Sequence, residues 1–146
     1  MKIVALALGT SLRGDDAAGL AVARGLEALV PGLQVVEIPE LVPDHAEVVA
    51  SADGVLFLDT SVAGTPGEVC ATRLSPRPAR AAVIHTLMPE EVLGLARALF
   101  GRVPPAALVT VAGRDFAFGD ALSPEVEAAL PLARERAREM VAGFRL

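Results

Sequence analysis

The chain has 146 residues, 53% of them hydrophobic, and a formal net charge of −5 with a pI near 5.0. That length suits one domain, 1–146, with a sizeable single core. The acidic balance argues against a nucleic-acid partner, which requires a basic face, and no apolar run approaches the ~18 residues of a membrane-spanning helix.

Residues 3–8 form a continuous apolar run ended by Gly9, the pattern of a central parallel strand. It begins without a basic region or cleavage-like site, so no secretory leader and a cytoplasmic location are expected. Asp15 then stands where it would cap a helix over about 15–30, with Val22, Leu26, Leu29 and Val30 as its buried stripe. Pro31 and Gly32 stop that helix, and 33–38 reads as a second strand. Asp44 is placed to cap a short helix to residue 52. Residues 54–58 read as a third strand ending on Asp59, 68–74 as a weaker strand of edge character, and 75–80, with two prolines, as loop.

Residues 81–84 are short and apolar, and His85 follows them. A helix is expected over 89–100, with Met88, Val92, Leu95 and Leu99 on one face and Pro89 at its first position. Residues 106–112 form another buried strand. Ser123 caps a long final helix that Pro131 should kink or split. Strands alternate with helices from end to end. The expected fold is therefore α/β: a three-layer sandwich on a mostly parallel twisted sheet of about five strands, with helices on both faces.

All five aromatic residues are Phe, so the core must be Val, Leu, Ile and Ala. The single cysteine, Cys70, excludes an intrachain disulfide and a multi-Cys zinc site and reads as a buried small hydrophobe. Arg73, Arg77 and Arg80 read as a solvated edge, and His45 as exposed and uninvolved.

The chemistry sits at strand ends. The segment Gly9-Thr10-Ser11-Leu12-Arg13-Gly14-Asp15-Asp16 lacks the G-x-G-x-x-G dinucleotide pattern. It also places two acids where a phosphate-binding loop requires Lys and Ser or Thr. Carboxylates there repel phosphate and attract cations. One acid satisfies a helix cap, which leaves Asp16 free for other work. Ligands of open α/β sheets bind outside the carboxyl ends of the strands, and Asp16, Asp59 and His85 all fall there. Two carboxylates and an imidazole suit a borderline divalent ion such as nickel, zinc, copper or iron, with positions left for water or substrate. An aspartic-type pair of Asp16 and Asp59 acting without metal is the alternative. A serine or cysteine nucleophile is not indicated: no G-x-S-x-G occurs and Cys70 has no basic neighbour in sequence.

The segment from Leu8 to Gly19 resembles the N-terminal signature of the [NiFe] hydrogenase maturation proteases, in which a strand ends in Gly-Asn and an acidic pair opens the helix. Glu40-Leu41-Val42-Pro43-Asp44-His45, Val55-Leu56-Phe57-Leu58-Asp59, His85-Thr86-Leu87-Met88-Pro89 and Leu122-Ser123-Pro124 are similar to family sequence too, in order along nearly the whole chain.

The resemblance implies a cytoplasmic endopeptidase that removes a C-terminal extension from a hydrogenase large-subunit precursor once nickel is in place. Asp16, Asp59 and His85 would be both its catalytic and its metal-contacting residues. The nickel would be supplied by the substrate, and other divalent metals can use the same donors. Gly9, Thr10 and Gly14 would shape the loop, with Gly113, Arg114 and Asp115 at the cleft rim. Thr10-Ser11 replaces the family's common Asn-Pro or Asn-Ile, and Thr60 a common Ala. A non-enzymatic descendant binding a protein through the same cleft, or an α/β domain binding a small cationic ligand, are the rival readings.

Overall fold

The computed structural model describes residues 1–80 and 86–144. Five strands form one sheet among them: β1 (Ile3–Leu8), β2 (Gln34–Ile38), β3 (Gly54–Ser61), β4 (Val69–Leu74) and β5 (Ala106–Ala112), in the order β2-β1-β3-β5-β4. All pairings are parallel except β4 with β5. The helices are α1 (Ala18–Leu26), α2 (His45–Ser51), α3 (Pro89–Phe100) and α4 (Pro124–Gly143), with a 3-10 turn at Gly14–Ala17.

Strand alternation builds two cores. Ile3, Ala5 and Ala7 of β1, with Leu56 and Leu58 of β3, pack against α1 and α4. Val4, Leu6 and Leu8, with Val55 and Phe57, pack against α2 and α3. Every residue of β1 is buried because helices cover both faces. This is the three-layer α/β sandwich expected from the sequence.

Several local expectations change. The helix after the first strand starts at Ala18 rather than Asp15 and ends at Leu26. Residues 27–30 form turns, and Leu29 is exposed instead of lying in a buried stripe. Asp59 lies inside β3, which runs on to Ser61 because its last residues still pair with β5, Asp59 opposite Thr110 and Ser61 opposite Ala112.

Cys70 is exposed, not buried: β4 is an antiparallel edge strand whose residues alternate between half-covered and open. On α3 the buried residues include Glu91, Val92, Leu93 and Ala96, while Met88 and Leu99 face out. His45 is half-buried, its Nδ1 accepting the Val42 N–H at 3.0 Å. Pro131 does not split α4. It is exposed, and the carbonyl it deprives of a donor belongs to exposed Glu127, where water can replace the lost bond. The short apolar run 81–84 and His85 lie outside the described residues.

Candidate functional site

The chain leaves β1 toward β2 on one side and later returns to place β3 on the other. The crevice between the carboxyl ends of β1 and β3 is thus the topological switch point, where open α/β sheets bind their ligands. Asp16 follows β1 and Asp59 lies two residues before the end of β3. Both line one cavity of about 370 Å³ there. Its walls are mainly apolar, from Leu8, Leu41, Leu87 and Leu108, with Thr60, Thr86 and Thr110 as polar points.

Gly9 lets the loop fold back this tightly. Its φ is +137°, and a Cβ there would stand 2.0 Å from the Asp16 carbonyl oxygen. The returning backbone then donates Thr10 N–H to Asp16 Oδ2 at 2.8 Å, which aims that carboxylate. Gly19 brings α1 onto the sheet: a Cβ there would meet the Leu58 and Leu8 carbonyl oxygens at 2.6 and 2.9 Å. The acidic turn is therefore pressed against the strand ends.

Asp59 Oδ1 accepts the Thr60 N–H at 2.8 Å. Burial, with a smaller push from the negative charge of Asp16, drives the Asp59 carboxyl up to about 6 despite that bond. A buried acid raised beside a second carboxyl group in an apolar cavity is relieved by a cation or by a proton. The donor set thus fits a divalent ion and also permits proton transfer near neutral pH. Among the described residues, no group of three His, Cys, Asp or Glu side chains is arranged around a common metal position. His85 lies outside them. The residue after it, Thr86, lines the cavity and donates its hydroxyl to Glu40 Oε2 at 2.6 Å.

Asp15 is not a helix cap. It is fully buried, and its carboxylate accepts the backbone N–H groups of Arg114 (2.7 Å), Asp115 (2.9 Å) and Ser123 (2.7 Å). Burial pushes its carboxyl up, but these three donors more than compensate and hold it below the usual carboxylate range. Arg114 and Asp115 therefore tie the acidic turn to the β5–α4 loop rather than line the cavity. Thr60 adds a second tie, its Oγ1 donating to the Asp15 carbonyl at 2.7 Å. Sequence reasoning noted Thr60 only as a departure from a family pattern. Its polar side chain after a buried strand was the available signal.

This architecture defines a class: it is the fold of the hydrogenase maturation endopeptidases, the group that the sequence motifs resemble. The hydrogenase maturating endopeptidase HybD from E. coli superposes with a TM-score of 0.75 at 23% identity, covering 99% of this chain and 93% of that one. The [NiFe] hydrogenase maturation protease HybD from Thermococcus kodakarensis gives 0.69 at 25% identity, over 96% and 99%. HycI from T. kodakarensis KOD1 gives 0.71 at 23%, over 97% and 92%. No family model matches the sequence, and no curated protein matches it.

Proposed function

We propose that the chain is a processing endopeptidase that removes the C-terminal extension of a [NiFe] hydrogenase large-subunit precursor, with Asp16, Asp59 and His85 reading the nickel centre of that substrate. The observation that carries this reading is the meeting of Asp16 and Asp59 in one largely apolar cavity at the switch point of a maturation-protease fold. The wall of that cavity continues into Thr86, Leu87 and Met88, directly after His85 in sequence.

Nickel in this reading belongs to the substrate. The two carboxylates supply hard oxygen donors and the imidazole a borderline nitrogen donor. Hydrolysis adds water across one amide bond, so a proton must leave the water and another must reach the departing amine. Asp59, with its carboxyl near 6, can hold or release a proton at neutral pH. Asp16, aimed by the Thr10 N–H, presents its own carboxyl group to the same cavity. The apolar walls seat the segment around the cut and limit competing water. The reaction takes place in the cytoplasm, on a protein substrate.

The test is to mix the protein with nickel-loaded precursor and follow loss of the tail by intact mass. Tail removal by the wild type, abolished in Asp16→Ala, Asp59→Ala and His85→Ala, is expected. An unchanged precursor mass would sink the proposal, and so would full cleavage by Asp59→Ala.

A further inference from the structure

Beside the carboxylate pair, two loops meet and hold apolar side chains out in solvent. The loop after β1 leaves Leu12 67% exposed, and the loop after β5 leaves Phe118 80% exposed. Apolar side chains of this size gain by leaving water, so a loose loop would turn them inward.

These loops are not loose. Gly14 N–H donates to the Gly119 carbonyl at 2.9 Å and Gly119 N–H to the Leu12 carbonyl at 3.0 Å, which pairs Arg13 with Gly119 as in a parallel ladder. The Arg13 guanidinium lies over the Phe118 ring, 4.7 Å from its centre. Beneath them, Asp15 accepts its three backbone donors from the second loop, and its own N–H donates to the Asp115 carbonyl at 2.8 Å. Asp15 is the immediate neighbour of Asp16, so the exposed pair and the cavity move as one body.

We infer that Leu12, Arg13 and Phe118 form a docking platform for the folded body of the protein substrate. The platform takes an apolar surface patch with a carboxylate at its edge. This inference rests on the endopeptidase reading and names where, outside the cavity, that substrate is held.

Continuity argues for this occupant. Leu12 lines a shallow trough with Gly9 and Pro39, and both of these also line the cavity of Asp16 and Asp59. A chain whose tail lies in the cavity and whose body leaves it past Gly9 and Pro39 meets Leu12 directly. Charge argues for the carboxylate. Arg13 makes no ion pair among the described residues, a state it shares with Arg73, Arg97, Arg134 and Arg136, and it stands on the loop that carries Asp16. A rigid aromatic and an arginine, already held in place, are what a binding hot spot requires, because little freedom is lost on contact.

The experiment measures binding of nickel-loaded precursor to immobilised wild type, Leu12→Ser, Phe118→Ser, Arg13→Lys and Arg13→Glu, together with the kinetics of tail removal. Leu12→Ser, Phe118→Ser and Arg13→Glu should weaken binding at least tenfold and raise KM, with kcat at saturation within twofold of wild type. Arg13→Lys should stay within threefold. Thermal melting should hold for all four, since the replaced side chains are exposed.

Affinities within twofold of wild type for Phe118→Ser and Arg13→Glu would overturn the platform, as would a fall in kcat at constant KM. A wild-type dimer on sedimentation that Phe118→Ser dissociates would assign the face to a second copy and overturn it too. Binding lost in the variants without cleavage by any form would uphold the platform and sink only the endopeptidase reading. A wild type that neither binds nor cuts the precursor would sink both.

Discussion

Thr60 donates its hydroxyl to the carbonyl oxygen of Asp15 at 2.7 Å, bridging the end of β3 to the acidic turn after β1. Its backbone N–H meanwhile goes to Asp59 Oδ1 at 2.8 Å. One residue thus touches both halves of the carboxylate site, through its side chain on one side and its backbone on the other. Thr60→Val keeps the shape and the N–H bond but removes one of two donors to the Asp15 carbonyl, which retains the Ala18 N–H. It should cost about 0.5–1.5 kcal/mol of stability, the net worth of one hydrogen bond whose acceptor is not orphaned. Thr60→Ser should restore most of the loss. Urea denaturation of the three proteins decides it, and equal midpoints for Val and Thr would show that the bridge does not hold the turn.

Thr10 behaves in the opposite way. Its N–H holds Asp16 Oδ2 at 2.8 Å, but its hydroxyl is buried and has no hydrogen-bond partner among the described residues. The side chain is therefore not what aims the carboxylate. Thr10→Val should be neutral or stabilising by up to about 1 kcal/mol, because a buried unpaired hydroxyl is removed. Thr10→Asn should change precursor cleavage by less than tenfold, since the backbone bond survives either substitution. Cleavage switched on from nothing by Thr10→Asn would reverse this assignment and favour a chain that has lost activity.

What the sequence made legible and what it hid follow from the range of the interactions. That Asp16 and Asp59 share one end of the sheet was legible because Asp16 lies in the loop after one buried apolar run and Asp59 directly follows another, and strand ends in a parallel sheet point one way. Asp15 could not be read correctly. Its three donors lie 99 to 108 residues away, and nothing local separates a capping acid from a buried tether. Cys70 and Val69 sit in an apolar-looking segment, yet among the described residues its only strand partner is β5, and Cys70 is exposed. On α3, two apolar stripes were compatible with helical spacing. The one holding Val92, Leu93 and Ala96 reached the sheet, and that choice belongs to tertiary packing.

Glu91 is the other buried acid with a definite role. It is completely buried on α3, receives Arg80 through both Nε and Nη2, and accepts the Met88 N–H at 2.8 Å. Arg80 first, and Met88 with it, hold the Glu91 carboxyl down at about 2 against the opposing effect of burial. The folded-state value lies below the unfolded one, so this stabilisation is fully present above about pH 4.5 and fades as pH falls toward 2. Glu91→Gln should therefore lower the melting temperature at pH 7, with the deficit shrinking steadily below pH 4. A deficit independent of pH between 7 and 3 would mean that packing, not charge, carries the contribution.

Asp59 carries the reverse sign. Its folded-state carboxyl is pushed up to about 6 from an ordinary 3.8, first by burial and then by Asp16. A raised value means that the fold prefers the protonated form. The associated stability is complete below pH 3.8 and is lost as pH rises through 6. At pH 7 the metal-free protein is thus holding a charge that its surroundings disfavour. Asp59→Asn keeps the shape and removes the charge, so in chelator the variant should be more stable than wild type by about 1–2 kcal/mol at pH 7.5, a two-unit shift discounted for partial exposure. The gain should narrow across pH 6 to 4 and be nearly absent at pH 3.5. Added nickel should close the gap from the other side, because a cation between Asp16 and Asp59 stabilises the charged wild type and finds fewer donors in the variant. The same substitution should abolish tail removal, which is the usual relation between a strained site and its chemistry. Melting curves with and without nickel from pH 3.5 to 7.5 test the three statements on stability, and the intact mass of the precursor tests the one on tail removal. A variant less stable than wild type at pH 7.5 in chelator would show that Asp59 is held by its partners rather than strained by them.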